Sequence, residues 1–167
     1  ALSLNERYAP AYLSRGWLNL QVGAYETGFA DFNDARRYGP ETIEVLLGIG
    51  NAYYYLGELQ QALESANTAI ELASQDQRQE LRERDTSRGY ELRARAAEAA
   101  TDLLDYAIQN YHWILELQMP APEIRAIAEH RLLVLTGEIP TAIPTLSVSP
   151  TPSPSATVIG TVTATPT

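Results

Sequence analysis

The sequence predicts an all-α protein: a right-handed α-solenoid of helix-turn-helix repeats, closed by a C-terminal capping helix and followed by a disordered Pro/Ser/Thr-rich tail. Three observations carry this. Small residues recur at one offset: Ala1, Ala35 and Ala69 are 34 apart, and the same step takes Gly16 to Gly50, Gly23 to Gly57 and Gly28 to Ala62. Apolar side chains recur around them at helical spacing, the sign of one buried stripe per helix. Composition then breaks at Ile139: residues 1–138 hold every ionisable side chain, and 18 of the 29 residues after them are Pro, Ser or Thr. A fixed period of this length marks stacked units, each too small to bury its own apolar face.

The elements follow in order. Residues 1–8 read as the end of a unit cut in its middle, so a longer parent chain is expected. Residues 9–42 and 43–75 each form one unit of two helices of about 14 residues. Gly23 and Gly57 break these helices where a positive φ costs nothing. Gly16, Gly28, Gly50 and Ala62 fall where the paired helices cross, and Tyr12, Phe32, Leu46 and Tyr53 fill the space between. Pro40 suits the first turn of the following helix. Residues 76–120 are an irregular, extended unit whose second helix carries Ala107, Tyr111 and Ile114 in the buried slots. From Ala69 to Ile114 is 11 residues more than one period. Eleven residues make about three helical turns, so the insertion lengthens the preceding helix and keeps its packing face in register. One helix is expected over about 76–100, with Gly89 as a kink point and Asp85-Thr86-Ser87 as an alternative fresh start. Residues 121–138 form the cap, with Ile124, Ile127, Ala128, Leu132 and Leu135 as its stripe and Gly137 as its stop.

The units resemble the tetratricopeptide repeat, whose pattern is W-x2-L-G-x2-Y, then A-x3-F, then P. The first copy reads Tyr12, Gly16, Gly28, Phe32, Ala35 and Pro40, with Arg15 and Asn19 where Leu and Tyr are usual. The second reads Leu46, Ile49, Gly50, Tyr53, Ala62 and Ala69, with Ala66 and Ser74 in place of the aromatic and the proline. The likeness covers residues 1–76 closely, most of all GNAYYYLGELQQALE at 50–64, and 76–120 more loosely.

The resemblance implies that the first helix of each copy lines a concave surface that receives a peptide or a partner helix. The stripe on that surface is Leu13, Trp17 and Leu20 in one copy and Leu47, Asn51 and Tyr54 in the next. An asparagine in the slot of Asn51 hydrogen-bonds a peptide backbone in this family. The basic clamp that some relatives use for a C-terminal carboxylate is unmatched, because the chain has no lysine and Leu13 and Leu47 take groove positions. The expected partner is therefore a protein or peptide segment of apolar or aromatic character, held by aromatic anchors. The competing expectation is that these six side chains are simply buried, under the long third-unit helix or under a neighbouring copy.

Composition removes other functions. With no cysteine there is no disulfide framework, thiolate metal site or cysteine nucleophile. All twelve basic residues are arginine, which removes Schiff-base chemistry and the lysine of a phosphate loop. The net charge of −9 argues against nucleic acid and anionic membrane as partners, and no run approaches the roughly 20 apolar residues of a membrane span. His112 and His130 lie on separate helices, and Glu129-His130 lacks the second histidine of a zinc-protease motif. No residue pattern asks for a cofactor or a metal, and no catalytic residue is assigned.

Six arginines fall in 78–95, but six carboxylates in 76–98 cancel them, and Glu80–Arg84 and Glu91–Arg95 have the spacing of helix-stabilising pairs. A solvated, self-paired helix is expected, its front half projecting into water. Residues 139–167 read as a plain flexible linker in preference to an O-glycosylated stalk, and this composition favours a site outside the cytoplasm. Self-association through stacked copies is the alternative to a peptide ligand.

Overall fold

The computed structural model describes residues 8–100 and 102–138. The cut unit read in 1–8, apart from Tyr8, and the tail read in 139–167 lie outside the described residues. Within them the chain is all-helical, with seven helices and no strand: α1 (Ala9–Gln21), α2 (Tyr25–Tyr38), α3 (Ile43–Leu56), α4 (Leu59–Ser74), α5 (Gln79–Ala99), α6 (Leu104–Glu116) and α7 (Pro122–Thr136).

The punctuation residues act as their chemistry dictates. Gly23, Gly57 and Gly137 have φ of 79°, 80° and 74°, so each ends a helix in the left-handed region. Pro10 and Pro122 occupy the first turns of α1 and α7, where a missing N–H costs nothing. Pro40 does not enter the next helix: Thr42 takes the cap, its side chain accepting the Val45 N–H at 3.3 Å.

Each helix packs on its chain neighbours, and the odd-numbered helices also touch in series, α1 on α3, α3 on α5 and α5 on α7. The close approach depends on small residues. Phe32 of α2 is fully buried between α1 and α3. A β-carbon on Gly16 would come within 2.7 Å of its ring, and one on Gly48 within 2.5 Å. A β-carbon on Gly28 would lie 3.1 Å from the Gly16 carbonyl oxygen, which sets how tightly α1 and α2 cross.

Helix α5 is the one long helix expected over about 76–100, and it departs from that expectation at its start and along its front half. It starts at Gln79 because Asp76 Oδ1 accepts the Arg78 N–H at 2.9 Å and turns the chain first. It runs through Asp85, Thr86 and Ser87, which are buried and start no second helix. Ser87 Oγ donates to the Arg84 carbonyl at 2.6 Å and accepts the Ala121 N–H at 3.1 Å, so the polar run serves the approach of the α6–α7 connection. Its front half is also anchored, since Glu83 accepts the Met119 N–H at 2.7 Å. Gly89 lets α5 lie against α4: a β-carbon there would meet Ile70 Cγ1 at 2.5 Å. Among the ion pairs, Glu91–Arg95 forms at 3.4 Å, whereas Arg84 turns to Asp85 at 3.2 Å.

Candidate functional site

The odd-numbered helices run in the same direction. Arg88 reaches Glu44 and Arg95 reaches Asn51, so α5 lies parallel to α3. Ser87 binds Ala121 and Glu98 binds Arg131, so α7 lies parallel to α5. Helices α3, α5 and α7 thus lie side by side in one direction, with Leu47, Asn51 and Tyr54 of the candidate stripe on α3 and Leu13, Trp17 and Leu20 on α1.

The six candidate residues divide. Leu20 and Leu47 are 6% and 2% exposed and belong to the core, so they offer no contact to a ligand. Leu13 and Trp17 are half-buried and pack on the Phe32 cluster, with the indole edge-on to Phe32 at 5.3 Å. Asn51 and Tyr54 are half-buried and come together through Arg95, which its charge pattern alone would place on a solvated helix. Its guanidinium lies 4.3 Å above the Tyr54 ring and 5.7 Å from Tyr55, and its Nη1 donates to Asn51 Oδ1 at 3.2 Å. Asn51 Nδ2 in turn donates to the Leu47 carbonyl at 2.8 Å. The flat guanidinium of Arg95 suits this place because it stacks on aromatic faces.

Beside it is a pocket of about 320 Å³ lined by Tyr54, Arg95, Glu98, Tyr111, Ile127 and Arg131. Arg131 grips Glu98 with both Nε, at 3.1 Å, and Nη2, and Tyr111 donates its hydroxyl to the same carboxylate at 3.1 Å. Burial pushes the Glu91 carboxyl above its ordinary range against the pull of Arg95, and burial also pushes the Tyr111 hydroxyl up. Each guanidinium in the pocket has its own carboxylate. The site therefore presents aromatic faces and arginine N–H groups without net charge, a surface suited to a neutral segment.

Histidines 112 and 130 are exposed, on α6 and α7. Among the described residues no group of three His, Cys, Asp or Glu is placed to hold a metal ion, and no helix is long and apolar enough to cross a membrane. Compared with protein-family models the chain matches none, and it has no significant match among curated proteins.

Proposed function

We propose that the chain is a short tetratricopeptide-like solenoid, right-handed and capped by α7, that binds a segment of another protein along the face of α1, α3, α5 and α7. The observation that carries this reading is the serial, parallel contact of the odd-numbered helices, with Trp17, Tyr54 and Arg95 half-buried on or beside that face. Paired charges and aromatic faces suit an apolar or aromatic segment, and the role is recognition without a reaction of its own. Selection of displayed random peptides against the full chain tests it. The expected result is enrichment of uncharged, apolar or aromatic sequences whose binding is lost in Trp17→Ala and Tyr54→Ala variants that keep their helical circular dichroism. Binders indifferent to both substitutions would remove the assignment.

A second reading, self-association, has its own support. Leu18 on α1, the first helix of the row, and Val22 just past its end are exposed, as are Leu133 and Val134 on α7, the last. Unlike faces at opposite ends join head to tail. Light scattering of the full chain distinguishes it: the mass rises with concentration, and Val22→Ser or Val134→Ser abolishes the rise.

A further inference from the structure

We propose that the pocket between α3, α5, α6 and α7 is an anchor site for one tyrosine side chain of the bound partner segment. This deepens the binding reading above and rests on it. Three observations converge. First, the pocket has apolar walls that the fold leaves uncovered. In the stripe expected on α7, Ala128 and Leu132 are buried and Ile124 and Leu135 pack against their cluster, whereas Ile127 is 39% exposed. Ile127 lines the pocket together with the Tyr54 ring and the exposed Ala99. Second, the deeper part of the pocket is polar. Tyr111 is fully buried, and burial keeps its hydroxyl protonated as the donor to Glu98 Oε2. Arg131 Nε binds that same oxygen and Nη2 the other, so Oε1 can accept one donor more. Arg95 commits Nη1 to Asn51 and Glu91, which leaves the rest of its fork to Tyr54 and the pocket. Third, the charges are already matched, Arg131 with Glu98 and Arg95 with Glu91. A ligand charge of either sign would therefore meet a like charge.

The cavity, about 320 Å³, lies at the low end of the roughly 300–1,000 Å³ of small-molecule sites, which suits one side chain. Tyrosine is the side chain that satisfies both ends. Its ring packs on Tyr54 and Ile127, and its hydroxyl donates to Glu98 Oε1 while accepting from the Arg95 fork. Phenylalanine would displace water from these polar groups and give nothing back. The tryptophan N–H donates but accepts nothing, and asparagine or glutamine does both without offering a ring.

Chemical-shift mapping on the full chain tests this, with N-acetyl-tyrosinamide as the probe. The expected result is shifts at Ile127, Ala99 and Tyr111, with N-acetyl-phenylalaninamide binding about tenfold or more weakly, the usual worth of a hydrogen bond to a charged group. The O-phosphorylated tyrosinamide should bind no better than the plain one; tighter binding overturns the proposal. Ala99→Trp, which covers the mouth, and Ile127→Ser, which removes a wall, should each abolish the shifts. Both positions are exposed, and circular dichroism checks that the helices remain. Equal binding of the two unphosphorylated probes, or shifts elsewhere only, overturns the proposal. The same shifts growing with protein concentration and no probe overturn it too, because the ring then comes from a second copy. Selected peptides that need Trp17 and Tyr54 but ignore Ala99→Trp remove this inference and leave the binding reading standing. The probe bound in the pocket while no selected peptide needs Trp17 or Tyr54 overturns the reading and, with it, the segment as the source of the ring.

Discussion

Arg15 and Asp31 pair across the α1–α2 hairpin where the first repeat departs from its own pattern. Arg15 Nε donates to Asp31 Oδ2 at 2.8 Å, Nη2 grips the other oxygen, and Asn19 Nδ2 adds a third contact at 2.8 Å. The hydrogen bond to Asp31 raises the Arg15 pKa despite its exposure. Arg15 and Asn19 thus converge on one buried carboxylate. Arg15→Leu alone leaves that buried carboxylate with only the Asn19 amide and lowers stability by about 1–3 kcal/mol. Arg15→Leu with Asp31→Ala recovers most of the loss, since removing both partners of a pair is close to neutral. Urea unfolding of the two variants checks the contrast; equal losses would refute the pairing argument.

The helices were legible where local chemistry sets them. Gly23, Gly57 and Gly137 stop helices by their own backbone freedom, and the 34-residue step placed Phe32, Ala35, Ala62 and Ala69 in the core. The site was less legible, because its key residue is defined by distant parts of the chain. In sequence Arg95 is one charge among twelve in a balanced run. Only the stacking of α5 on α3 brings it over Tyr54, 41 positions earlier. The same holds for Ser87, whose partner Ala121 is one period away. Leu20 and Leu47 failed as groove residues for a related reason: a stripe of period 3.6 fixes a face of the helix but not how much of it the next helix covers. One signal near Arg95 was present in the sequence, its i+4 spacing from Glu91.

Gly48 should not tolerate alanine, although it lies inside α3, where alanine is the better helix former. The added methyl would meet Phe32 at 2.5 Å, and Gly16 already lies close to the same ring atoms, so the ring has little room to move. Overpacking of this kind costs about 1–3 kcal/mol, and helix propensity returns at most about 1 kcal/mol. Gly48→Ala is expected to lower the melting temperature, and Phe32→Leu in the same chain to restore part of it. A stabilised Gly48→Ala protein would show that α2 and α3 are not held this close.

Arg93 pins three helices. Its Nε donates to Asn110 Oδ1 and its Nη1 to Asn67 Oδ1, both at 2.6 Å, while Tyr90, Tyr106 and Trp113 surround the guanidinium at 5.0–5.4 Å. Burial lowers its pKa, so the site holds the charge at a cost that the hydrogen bonds and ring faces offset. Arg93→Lys keeps the charge but not the planar fork that serves two asparagines at once. It is expected to lose about 1–3 kcal/mol, because Asn110 is buried and its oxygen loses a donor. In a Trp17→Phe background the emission of Trp113 should shift with the same substitution. Full stability in Arg93→Lys would mean that charge alone suffices there.

Glu91 gives the face a pH dependence whose sign can be worked out. Burial raises its pKa above the ordinary 4.5, and the attraction of Arg95 and Arg88 offsets this only in part; Tyr111 faces the same charge from α6. Between 4.5 and the raised value the folded chain holds more protons than the unfolded one. Stability from this group therefore falls as pH rises through that window and is level above it. Asp76 titrates elsewhere: Arg78 holds its carboxyl down to about 2, so its contribution is lost only in stronger acid. Glu91→Gln removes the titration in the window and leaves Asp76 untouched. Urea midpoints of both proteins across the range should show wild type gaining on the variant as pH falls toward 4.5 and losing ground as it rises. A gap that stays constant, or that moves the other way, would mean that Arg95 fully compensates Glu91 in the folded chain.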